Sequence, residues 1–209
     1  MFSPDTYKKR REELRKLITG GIVFFAGNVE APFNYPDNTY SFRQDSTFMY
    51  YFGLQEPCLA GIMDLDDGSE CLFGDDCTMS DIIWMGQQPS MSDKAATIAA
   101  SQTKPYAALK DILQKAQQQR RTIHFLPPYR GETKILFWEL LGISPAKQNE
   151  SASALLIKAV VKMRMTKEPQ EIAQIEASLE TCYQMHTYIM KHIRAGMVER
   201  ELSPLKALR

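Results

Sequence analysis

Cysteine is scarce in this chain. Its 209 residues include four, at positions 58, 71, 77 and 182, with no Cys-x-x-Cys pair. That is too few for a disulfide scaffold, and free thiols in a cytoplasmic protein are the plain reading, with one bridge left open by the even count. An excess of either charge is also missing: Lys+Arg and Asp+Glu both number 25. No overall field would therefore draw in nucleic acid or an anionic membrane. Long apolar runs are absent as well. The opening residues, Met1 to Glu13, carry no apolar stretch after their basic ones, which argues against a secretory signal, and no later run approaches a membrane span. Internal repeats and low-complexity segments are lacking, and Gln117–Gln119 read as a polar helix end.

What is present suits a globular protein. Hydrophobic residues make up 44% of the chain, enough for a real core in one domain with an appendage or in two small domains. Ser3, Pro4 and Asp5 are an N-cap, a first-turn proline and a favourable acid, so a helix should run to about Ile18 and stop at Gly20-Gly21. Ile22–Ala26 is continuously apolar, the mark of a buried strand, and a loop rich in Asn and Pro should follow to about Asn38. Asp45 can cap a short aromatic helix over 45–52. Leu59–Leu65 and Glu70–Phe73 form a predicted hairpin around Asp66-Asp67-Gly68-Ser69. Helices are expected over 93–100, 106–118 and 132–141, with a strand at 123–126 stopped by Pro127-Pro128. Strands alternating with helices imply an α/β domain with a mixed sheet flanked by helices.

Residues 151–161 are apolar at helical spacing. The pattern breaks at Lys162–Pro169, where Thr166 can cap a new helix with Pro169 in its first turn. Ile172, Ile175, Leu179, Cys182, Met185/His186, Ile189 and Ile193 then repeat as far as Gly196, a natural terminator. Such a helix of roughly 27 residues would be about 40 Å long, which implies something else to cover it.

Several side chains can be read as sites or as structure. Cys182 and His186 share a helix face and could begin a zinc site, but no further ligands have fitting spacing, so burial against a neighbouring layer is favoured. His192 lies about 240° round the helix from His186 and cannot join it. His124 reads as a core or edge histidine. Asp64, Asp66, Asp67 and Glu70 depart from a calcium loop and fit a hairpin turn. Arg43 and Asp45 are favoured as structural, Asp45 as a cap. Phe48, Tyr50, Tyr51 and Phe52 lack the interleaved positive charge of a base-stacking surface, so core packing is expected.

Residues 40–53, Tyr-Ser-Phe-Arg-Gln-Asp-Ser-Thr-Phe-Met-Tyr-Tyr-Phe-Gly, resemble the amino-terminal domain of the Xaa-Pro aminopeptidase (aminopeptidase P) group. The residues carrying that likeness are Tyr40, Phe42, Arg43, Gln44, Asp45, Phe48, Tyr51 and Gly53. Asp81–Gly86 is similar to the same domain's Trp-x-Gly segment. Arg164–Ile172, followed by Gly196, Glu199 and Glu201, is similar to the junction that opens the pita-bread (creatinase-like) domain. The resemblance implies a creatinase-type N-terminal domain with a ribonuclease H-like layout over 1–157, then the start of an incomplete pita-bread domain over 158–209.

It further implies a parent enzyme that hydrolyses Xaa-Pro peptides with two divalent ions, commonly manganese, held by two Asp, one His and two Glu of the second domain. Those ligands are expected to lie beyond this chain, which alone should be inactive. Its own part would be to restrict substrates and mediate homodimer or homotetramer contacts. Trp84 is the implied cleft residue, able to pack on a proline ring, with closure of the sheet as the competing reading. The alternative function is a non-catalytic, peptidase-like protein-binding module. Ser203-Pro204 interrupts the expected pattern, so the tail Ser203–Arg209 reads as a truncated or foreign ending.

Overall fold

Short strands buried on both faces, with helices on either side, organise the chain. The computed structural model describes residues 2–202; the Ser203–Arg209 tail lies outside them. Helix α1 (Pro4–Leu17) is followed by β1 (Ile22–Ala26), β2 (Pro32–Tyr35), β3 (Asn38–Thr39) and α2 (Ser46–Phe52). Next come β4 (Ala60–Asp64), β5 (Glu70–Phe73), α3 (Met79–Met85), α4 (Met91–Thr97), β6 (Thr103–Lys104), α5 (Ala108–Gln118) and β7 (Ile123–His124). Helices α6 (Gly131–Leu141), α7 (Gln148–Ser151), α8 (Ala154–Met165) and α9 (Pro169–His192) complete the order, before a short 3-10 turn at Glu199–Glu201.

The main sheet runs β6-β5-β4-β1-β7. Strand β4 is antiparallel to both β1 and β5, whereas β1 pairs with β7, and β5 with β6, in parallel. Four strands therefore point one way and β4 points against them. Because successive side chains leave a strand on opposite faces, Val23 and Phe25 face one core with α1, α2, α4 and α8. Ile22 and Phe24 face the other, with α5 and α6. The result is the expected α/β layering of a mixed sheet between helices.

The hairpin forms with Ala60 opposite Phe73 and Met63 opposite Glu70. The loop expected over 27–38 instead contains a two-stranded ribbon, with Pro32 opposite Thr39 and Tyr35 opposite Asn38. Pro36-Asp37 makes its turn, Pro presetting one dihedral and Asp suiting the next, and Phe33 and Tyr40 meet edge-to-face across it at 4.9 Å. The strand expected over 123–126 is only two residues long. Beyond it the Phe125 carbonyl accepts from the Ser153 amide instead, and Pro127-Pro128 have no amide to offer a ladder. Helix α4 begins at Met91 because Ser90 and Asp93 form a capping box, and it ends at Thr97.

The chain divides into two compact units, Met1–Met163 and Arg164–Arg209. The expected boundary at 157/158 and this division both fall within α8. In the second unit, Glu168 rather than Thr166 stands at the N-cap of α9: its amide donates to the Glu171 carboxylate at 3.0 Å, and its carbonyl accepts from the Glu171 amide at 2.9 Å. None of the α9 residues is buried. Cys182 and His186 are both exposed, which corrects their expected burial.

Candidate functional site

The aromatic segment over 40–53 is built around one buried amide. Gln44 is 4% exposed. Its Oε1 accepts from the amides of Asn28 (2.6 Å) and Asp45 (2.8 Å), and its Nε2 donates to the Glu56 carbonyl (2.8 Å). Asn28 completes the clasp by donating to the Arg43 carbonyl at 2.8 Å. One side chain thus joins the segment after β1, the entry to α2 and the approach to β4. A residue of similar size without both amide functions would leave buried backbone groups unpaired.

Asp45 then caps α2, its carboxylate accepting from Thr47 and Phe48. Phe48, Tyr51 and Phe52 are buried beneath it. Phe48 stacks on Phe52 at 5.1 Å, and Tyr51 packs on Phe25 at 4.9 Å. Gly53 ends the helix with φ 68°, and a Cβ there would enter the Tyr7 ring. Tyr40 lies exposed beside the ribbon and Phe42 is half-buried. Arg43 is exposed and borders a cleft of about 410 Å³ that Tyr129 and Arg130 also line.

Trp84 stands apart from this cluster. Thr78 and Asp81 make a capping box that starts α3, and donation from the Thr78 side chain, then its amide, holds the Asp81 carboxyl below its ordinary value. Gly86 ends the helix at φ 77°, a left-handed turn open to glycine. No residue of α3 is buried. Trp84 is 85% exposed, with Met79, Ile83 and Met85 exposed around it. An indole presented in this way, one apolar face and one N–H donor, is suited to receive a partner's apolar group.

Sequence reasoning passed over Arg11. It lies on the buried stripe of α1 with Tyr7, Leu14 and Ile18, and the helical spacing 7–11–14–18 was the available signal. Its guanidinium pairs in fork geometry with Glu70 (2.9 and 2.8 Å) and donates to the carbonyls of Tyr51 (2.9 Å), Ile98 (2.9 Å) and Ala99 (3.0 Å). The acids expected in the hairpin turn are held in the same manner. Arg121 pairs with Asp64 and Asp66, and Asp66 also accepts from the Gly21 amide at 2.9 Å. His124 is buried between the Ser153 hydroxyl (2.7 Å) and the Gly20 carbonyl (3.2 Å), a core position as expected. The carbonyl can only accept, so Nε2 bears the proton and Nδ1 accepts from Ser153.

Among the described residues no group of three or more His, Cys, Asp or Glu could hold a metal ion. The donor set of the described residues therefore does not fit a two-metal centre. No helix among the described residues is long and apolar enough to cross a membrane.

Comparison with known proteins adds to this geometry. The family described as Aminopeptidase P, N-terminal domain, matches residues 7–124. The human Xaa-Pro dipeptidase is 27% identical over 199 residues, covering 93% of this chain and 39% of its own length. The Escherichia coli Xaa-Pro aminopeptidase is 24% identical over 217 residues, covering 96% and 47%. The chain thus spans less than half the length of these curated relatives. Among solved structures, the low-pH form of E. coli aminopeptidase P superposes with a TM-score of 0.74 at 22% identity, over 97% of this chain and 48% of that one. A zinc-substituted form of the same enzyme, in complex with product, gives 0.74 at 20% identity over 96% and 48%. At this identity the superposition speaks for the fold.

Proposed function

The chain belongs to the aminopeptidase P N-terminal domain family, and on that footing we propose that it is the substrate-restricting and assembly portion of a metal-dependent Xaa-Pro peptidase. Trp84 carries the reading: a tryptophan 85% exposed on a helix that buries nothing is placed to serve a neighbour rather than its own core. In the assembled enzyme its ring packs on the proline of a short peptide at the cleft mouth, and the exposed residues of α3 contribute to a homodimer or homotetramer contact. Hydrolysis would belong to a second domain holding two divalent ions, manganese by preference, and the chemistry they would supply there is Lewis-acid activation of the scissile carbonyl and of water. No step of that chemistry is assigned to residues described here. The 209-residue chain alone binds Xaa-Pro peptides weakly and does not cleave them.

A fluorescence titration tests this reading. Trp138 is changed to Phe so that Trp84 is the sole indole, and a Xaa-Pro tripeptide is added alongside its Xaa-Ala counterpart. The expected result is a change in Trp84 emission with the proline peptide, and association of the chain that Trp84→Ser weakens in sedimentation. Loss of both signals would sink the proposal. Association without any response to proline peptides would return the protein to the alternative reading, a peptidase-like binding module without catalysis.

A further inference from the structure

A second cleft lies away from Trp84, at the carboxyl edge of the main sheet. Strands β1, β5, β6 and β7 point the same way, so Gly27, Asp75 and Tyr106, which follow three of them, gather at one end. Cys58 joins them because β4 starts where β1 finishes, with the Cys58 amide donating to the Asn28 carbonyl at 3.1 Å. Helix α6 roofs the space with Glu132, Ile135 and Glu139. The cleft measures about 500 Å³, within the range of small-molecule sites, and it occupies the place where open α/β sheets receive ligands.

Its chemistry is one-sided. The walls are largely apolar, and the ionised groups lining them are the carboxylates Asp75, Glu132 and Glu139, with no lysine or arginine among the lining residues. One oxygen of Asp75 accepts from the Tyr106 amide at 3.1 Å, which leaves the other for a ligand. The Tyr106 hydroxyl has no hydrogen-bond partner among the described residues. Glu132 also lies 3.6 Å from Arg130, so its charge is partly compensated, while Asp75 and Glu139 have no cation paired with them among the described ion pairs. Cys58 holds φ 59°, a left-handed conformation that a residue with a Cβ adopts at a cost and that concentrates at ligand sites.

We propose that this cleft binds a small organic cation, a primary amine bearing an apolar arm, with the ammonium between Asp75 and Glu139 and the arm against Ile135. The environment of the two titratable walls agrees with a negative site. Burial, then the charges of Glu30 and Asp75, push the Cys58 thiol up. Burial, then Cys58 and Asp75, push the Tyr106 phenol up to about 12.

Cys58 supplies the probe. It is exposed and lines the cleft, so its labelling rate reports both the field and the occupancy. The full chain is treated with 2-aminoethyl methanethiosulfonate or with its anionic 2-sulfonatoethyl counterpart, and each cysteine is followed by mass spectrometry. The same thiolate attacks both reagents, forming a mixed disulfide and releasing methanesulfinate, so the raised thiol value cancels from their ratio. The cationic reagent should be favoured at Cys58 by on the order of tenfold relative to Cys182, and Asp75→Asn or Glu139→Gln should reduce that preference. Asn keeps an oxygen for the Tyr106 amide, and Glu139 is exposed, so both variants should fold. Millimolar 2-phenylethylamine should slow labelling of Cys58 and not of Cys182, while 2-phenylethanol and 3-phenylpropionate should do so much less. Equal reagent ratios at the two cysteines, an absence of protection, or protection as strong by the anion would each overturn the proposal.

Discussion

Replacing Arg11 by Met should remove much of the stability of the first unit. The Arg11 side chain is fully buried and that of Glu70 is 12% exposed, so water cannot substitute for what is lost. Five hydrogen bonds go with the guanidinium. They connect α1 to β5, to the end of α2 and to the chain leaving α4, three places that no nearer contact of Arg11 could join. Breaking one side of a buried ion pair costs about 3–5 kcal/mol, since the remaining charge and its acceptors stay desolvated. Glu70 keeps Arg15 at 3.1 Å, which argues for the lower half of that range. A domain of this size is stable by about 5–15 kcal/mol, and a loss of 3 kcal/mol lowers the melting temperature by roughly 10 °C.

Urea unfolding followed by circular dichroism would measure the change directly. Arg11→Lys should recover little, because a single ammonium cannot reproduce the fork toward Glu70 or reach the three carbonyls together. In a Glu70→Gln background the cost of Arg11→Met should fall by about 1–3 kcal/mol, the coupling expected for paired groups. A loss below about 0.5 kcal/mol for Arg11→Met, the level of an ordinary surface change, would refute the reasoning.

Two further perturbations have definite signs. Gly53→Ala should destabilise by about 2 kcal/mol or more, read from the same urea curves, because φ is 68° and the new methyl enters the Tyr7 ring. The Asp66 carboxyl is held below its ordinary value of 3.8, first by the Gly21 amide and then by Arg121. A depressed folded value stabilises the fold above the unfolded value, and that contribution is lost as pH falls through the folded one. Asp66→Asn should therefore be less stable than the parent above about pH 4, with the two converging as acid is added. A gap that stays constant down to pH 2 would contradict this.

Much of the architecture was legible because its signals are local. Ile22–Ala26 is apolar at every position, and a strand covered on both faces requires that. Asp66-Asp67-Gly68-Ser69 announces a turn between two strand-like runs. Asp45 followed by an aromatic run announces a capped helix that must be buried. The ribbon over 32–39 was missed because its exposed strands bury no face, and only the pairing of Pro32 with Thr39 makes them strands at all. Thr166 has the right chemistry for a cap, but Glu168 stands next to Pro169 and takes the position.

The motif residues divide in the same way. Asp45 and Gly53 act on backbone within a few positions, so their roles could be read from the chain. Gln44 binds Asn28 and Glu56, and Arg11 binds Glu70, Tyr51 and Ile98; nothing short of folding brings those groups within 3 Å of one another.

By itself, then, the sequence determined the alternation of strands and helices, the caps and turns, and the aromatic segment that marks the family. Each depends on dihedral preference, hydrogen bonds to nearby backbone or the period of apolar residues, all of which act over a few positions. Tertiary structure decided that an arginine would be the buried hub of α1, that Trp84 would face outward, and that Asp75, Tyr106 and Cys58 would share one cleft. Those outcomes depend on which strands run parallel and where their ends meet, and that is a property of the assembled sheet.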